Sequence, residues 1–140
     1  MLTLFVKDDG LSINIVNKLP GGERLFFKKC SPDIDSGLWF ADNLANKAPI
    51  SGEDAMNCEL QKDGPGSFTY AVGENPGSKE WLTVSWEGSK SATFEPSHGL
   101  NIECDKYYIP ERSSLFFVVY KGTKPDRWAP EGLGLTHVEV

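Results

Sequence analysis

Residues 64–86, GPGSFTYAVGENPGSKEWLTVSW, decide how the rest of the chain is read. Two half-buried strand patterns, 66–72 and 81–86, flank GENPGSKE, whose glycines, asparagine and proline supply turn dihedrals and interrupt any helix. The stretch therefore predicts a β-hairpin. Side chains alternate across a strand, so Phe68 and Tyr70 share one face, as do Leu82, Val84 and Trp86. The sequence does not set the register between the two strands.

The same period-2 pattern extends outward in both directions. Residues 2–6 and 11–17 read as strands parted by KDDG, with Leu11, Ile13 and Ile15 alternating with Ser12 and Asn14. RLFFKK at 24–29 follows the turn at 19–22, and a short strand at 38–41 follows the SPDIDSG loop. Between 42 and 54 the period is lost, and Pro49 would cut short a helical turn around 44–47. Further strands are expected at 55–60, 91–94, 100–104 and 133–140. SSLFFVVY at 113–120 is the most apolar run and predicts a strand covered on both faces. Tyr107, Tyr108 and Trp128 fall in segments expected to be loops. About ten short strands with no amphipathic helix point to a single all-β domain, 1–140, built as an antiparallel β-sandwich.

Composition fits this architecture. A chain of 140 residues with 39% apolar content can bury one sizeable core. The net charge of −6 and pI near 4.9 set the overall field against nucleic acid and polybasic attraction to membranes, but not against binding to neutral or zwitterionic lipid. Cys30, Cys58 and Cys104 are too few and scattered for a disulfide scaffold, and no CxxC pair is present to hold zinc. They read either as three buried thiols or as one disulfide and one thiol. The first ten residues carry no secretory signal pattern and no apolar run reaches a spanning length, so the chain is expected to be cytoplasmic or exported without a cleaved signal.

Little in the sequence favours catalysis. His98 and His137 are isolated, reading as a solvated turn residue and a strand residue, and no nucleophile elbow, zinc-protease motif, P-loop or dinucleotide fingerprint occurs. Asp33 and Asp35 open like a calcium loop, but Leu44 stands where the bidentate glutamate would be needed. No metal, no cofactor and no enzymatic activity are expected.

The aromatic residues are the more informative set. Trp39, Trp81, Trp86, Trp128, Tyr107 and Tyr108 include several beside Gly, Pro or charged residues. Amphipathic rings at loop ends suit sugar faces, flat apolar ligands and the membrane interface. Trp39 and Trp86, within strands, are weighed as core ahead of surface use. Trp128, Tyr107 and Tyr108 are weighed toward surface use.

Several segments in order resemble the aegerolysins, small acidic β-sandwich proteins: LSINIVNKL at 11–19, DSGLWFADN at 35–43, GPGSFTYAV at 64–72, VSWEGSK at 84–90 and GLTHVEV at 134–140. The resemblance implies recognition of membrane lipids and pore formation with a larger partner protein, as the docking component of a two-component cytolysin or toxin. On that expectation Trp128, Tyr107, Tyr108 and Trp86 lodge at the interface while Lys90, Lys106 or Arg127 contact a headgroup phosphate. The rival expectation is a lectin-like carbohydrate-binding module, in which aromatic rings stack on sugar faces. A third is a structural or storage protein whose aromatics are all core.

Overall fold

The computed structural model describes residues 10–39, 48–88, 91–99, 101–109, 113–122 and 136–137. Among them there is no helix, and nine strands form two sheets. In chain order these are β1 (Leu11–Lys18), β2 (Arg24–Ser31), β3 (Ala55–Leu60), β4 (Gly66–Gly73), β5 (Trp81–Gly88), β6 (Ser91–Pro96), β7 (Glu103–Ile109), β8 (Ser114–Tyr120) and β9 (Thr136–His137). One sheet runs β3-β1-β8-β7-β9 and the other β2-β4-β5-β6.

The central hairpin forms as expected, and its register places the whole apolar set on one face. Phe68 pairs with Val84, Tyr70 with Leu82 and Gly66 with Trp86, so all five large side chains point inward. They meet Ile13, Ile15, Leu115, Phe117 and Val119 of the opposite sheet in a single core. The Trp86 and Phe117 rings, 6.2 Å apart, span the two layers. Trp39 closes one end of this core. Its indole Nε1 donates to Pro32 O at 2.8 Å, its ring lies 5.3 Å from Phe68, and its backbone bridges Leu60.

Two expectations require correction. The sandwich is not wholly antiparallel: β1 pairs with β3 antiparallel but with β8 parallel, Ser12 facing Ser114 through Lys18 facing Tyr120. The strand expected at 100–104 lies further on, at Glu103–Ile109, so Tyr107 and Tyr108 belong to β7 and not to a loop. Asp105 and Lys106 weaken the local β signal, and pairing along the full length of β8 overrides it. Nine strands are present among the described residues, where about ten were expected over the whole chain. The expectations for 2–6, for a helical turn at 44–47 and for most of 133–140 lie outside the described residues. β8 is covered on both faces as predicted, with Phe117 inward and Val118 and Tyr120 buried on the other side.

Asn17 shapes the end of the molecule where chain reversals cluster. Fully buried at the end of β1, its Nδ2 donates to Ile50 O at 2.8 Å and Glu23 O at 3.3 Å. Its Oδ1 accepts from Leu19 N at 2.8 Å. One side-chain amide thus satisfies three backbone groups and ties the 19–23 turn to Ile50.

Candidate functional site

Of the expected interfacial residues, the four that are described, Trp86, Tyr107, Tyr108 and Lys106, do not share one surface. Trp86 is a core residue, 2% exposed, and its ring sits so close over Gly66 that a Cβ there would collide with it. Tyr108 faces the core from β7, paired with Leu115. Tyr107 points to the opposite face, half-buried, with its hydroxyl donating to Asp105 Oδ2 at 3.3 Å. Lys106 places its ammonium 5.8 Å from the Phe94 ring centre, where it bridges β7 and β6. Trp128, Arg127 and Lys90 lie outside the described residues.

A different constellation assembles on the outer face of the β2-β4-β5-β6 sheet. Because successive side chains alternate, the residues between the core positions of the hairpin all face outward. Register aligns them in rows across the strands. Ser31, Ser67, Ser85 and Thr93 form one, Lys29, Thr69, Thr83 and Glu95 the next, and Phe26, Ala71 and Trp81 a third. The Thr69 and Thr83 hydroxyls are 2.8 Å apart and hydrogen-bonded, which orients the middle row. Trp81 is 38% exposed, a large ring left open at the start of β5. Its backbone is pinned by the buried Ser97, whose Oγ accepts from Trp81 N at 3.1 Å and donates to Glu80 Oε2 at 3.0 Å.

The 74–80 loop joins this face to the end of the molecule. Asn75 closes it locally by accepting from Gly77 N through Oδ1 and from Ser78 N through its carbonyl. Ser78 Oγ donates to Val72 O at 2.6 Å and accepts from Glu80 N at 3.2 Å. From β2, Arg24 donates to Glu74 O at 3.1 Å and Lys28 to Pro76 O at 2.8 Å. The Arg24 guanidinium also lies 4.9 Å above the ring of Phe26, which is buried although it faces outward. Behind the loop, an open cleft of about 550 Å³ is bounded by the 20–23 turn, Glu74, Ser78, Glu80 and Lys121. Lys121 Nζ lies 2.9 Å from both carboxylate oxygens of Glu23.

Sequence reasoning named Trp81 among the aromatics without singling it out as a site. The signal was available: if Leu82, Val84 and Trp86 face the core, then Trp81, Thr83 and Ser85 face away from it. His98 is exposed in a turn, as expected. Asp33 acts as a turn former, its Oδ1 accepting from Asp35 N at 2.9 Å, and among the described residues no three His, Cys, Asp or Glu side chains gather to hold a metal. No helix among the described residues is long and apolar enough to cross a membrane. No family model and no curated protein matches this chain.

Proposed function

We propose that the chain is a non-catalytic, lectin-like module that binds carbohydrate on the outer face of the β2-β4-β5-β6 sheet. The observation that carries this reading is the exposed Trp81 ring beside two rows of Ser and Thr side chains. A sugar presents an apolar ring face and a rim of hydroxyls, and its recognition needs an aromatic platform with donors and acceptors placed around it. Serine and threonine hydroxyls do both, and a paired sheet holds them with less conformational freedom than a loop would. The interfacial reading has weaker support among the described residues, since Tyr107 and Lys106 are engaged within the fold and Trp86 and Tyr108 are buried.

A glycan array run beside vesicle sedimentation tests this directly. The expected result is retention on a subset of glycans, lost in Trp81→Ala while the urea unfolding midpoint hardly moves, because the removed ring is largely outside the core. Recruitment to zwitterionic vesicles with no glycan retained would overturn it in favour of lipid recognition.

A further inference from the structure

Resting on the carbohydrate reading, we infer that the ligand of this face is an acidic polysaccharide whose carboxylates are held along β2. Arg24, Lys28 and Lys29 lie within a single strand of a chain whose net charge is −6. Among the described residues, the ion pairs involve Lys18 with Glu53 and Lys121 with Glu23, and no carboxylate pairs with any of the three β2 cations. Arg24 and Lys28 donate instead to main-chain carbonyls of the 74–80 loop, bonds that hold their side chains in place and leave their charge uncompensated. Lys29 is exposed and stands in register with Thr69, at the head of the row that continues through Thr83.

The face is therefore graded. Cations border it on the β2 side, hydroxyls fill its centre, and Glu95 ends the same row on β6. From Lys29 to Trp81 is two strands across and one residue pair along, about 12 Å at ordinary sheet spacings. That distance spans a run of sugar residues, so a chain can set a ring on Trp81 while a uronate carboxylate one or more units away meets Lys29 or Lys28. Glu95 repels a second carboxylate on the far side and so favours a path near β2 and β4. The overall negative charge opposes a polyanion only weakly at this range. Exposed charges further than a Debye length, about 8 Å in physiological salt, are largely screened, whereas the β2 cations are in contact.

Isothermal titration of the intact protein against polygalacturonate and against a neutral β-glucan of matched length, with wild type, Lys28→Glu/Lys29→Glu and Trp81→Ala, decides the matter. The expected result is tighter binding of the acidic chain, weakened about tenfold or more by the double charge reversal. Binding should also fall as ionic strength rises from about 0.1 to about 1 M, where the screening length drops from about 10 to about 3 Å. Unchanged circular dichroism and unfolding midpoints in both variants show that a loss of binding is not a loss of fold. Equal binding of neutral and acidic chains, indifferent to the charge reversal, would overturn the acidic assignment and leave the carbohydrate reading standing. No binding to either chain, with no glycan retained on the array, would overturn both.

Discussion

A phenol oxygen buried with no hydrogen-bond partner costs the fold the desolvation of that oxygen, roughly 1–3 kcal/mol, and Tyr70 carries one in the middle of the core. Tyr70→Phe removes the oxygen and keeps the ring that packs against Phe68 and Phe27. The variant is expected to unfold at the same or a higher urea concentration; a clear drop would mean that the hydroxyl has a partner in solution. Burial also pushes the Tyr70 phenol well above its usual value, and the nearby Cys58 and Cys30 add to the push. Burial raises the Cys104 thiol likewise. Both are acids whose folded-state values lie above their unfolded ones, so above about pH 9 the unfolded chain sheds protons that the folded chain keeps. Their contribution to stability is expected to be flat below that pH and to fall above it, by up to about 1.4 kcal/mol per pH unit for each group, and less steeply in Tyr70→Phe. Denaturant midpoints measured from pH 7 to 11 check the direction. At this scale the sequence was legible wherever parity was unbroken. Trp86 as core and Trp81 as surface both follow from a one-residue offset. The crowding of Trp86 over Gly66 was not legible, because only cross-strand register brings those two together.

The strands differ in what protects them. β1 lies between β3 and β8, and β4 between β2 and β5, so their backbone groups are bonded on both sides and their core-facing residues are buried. Among the described residues β2 and β6 border their sheet, each with one neighbouring strand, and the free edge of β2 is bridged at Leu25 by Ile50. Amide hydrogen exchange followed by mass spectrometry is expected to be slowest in peptides from β1, β8, β4 and β5 and faster in those from β6 and the exposed end of β2. Equal protection in β6 and β4 would contradict this arrangement. Elements whose partner lies next in the chain, such as β4 and β5, could be read from alternation and turn chemistry alone. The parallel pairing of β1 with β8 could not. It joins residues about a hundred positions apart, and nothing in LSINIVNK or SLFFVVY states which apolar strand will lie beside it or in which direction. The strand that carries Tyr107 and Tyr108 escapes local sequence for the same reason: it exists because β8 offers it a full-length partner.

The two sheets share one core, and this sets how the molecule should come apart. Trp86 and Phe68 on one sheet and Phe117 and Ile15 on the other belong to the same buried cluster, with Trp39 sealed against it through Phe68 and Pro32. Removing either sheet would expose the apolar face of the other, at about 25 cal/mol for each Å² of apolar surface, so neither is stable alone. Two of the four tryptophans, Trp39 and Trp86, sit in this shared layer and report on its integrity. Urea unfolding is therefore expected to be one transition, with tryptophan fluorescence and far-UV circular dichroism giving the same midpoint and the same slope. A fluorescence midpoint well below the circular dichroism midpoint would show the sheets separating before either melts. Trp81→Ala, which leaves the shared layer intact, should keep the two probes coincident. Phe117→Ala should lower both together by roughly 3–5 kcal/mol in stability, since it opens a cavity where the layers meet.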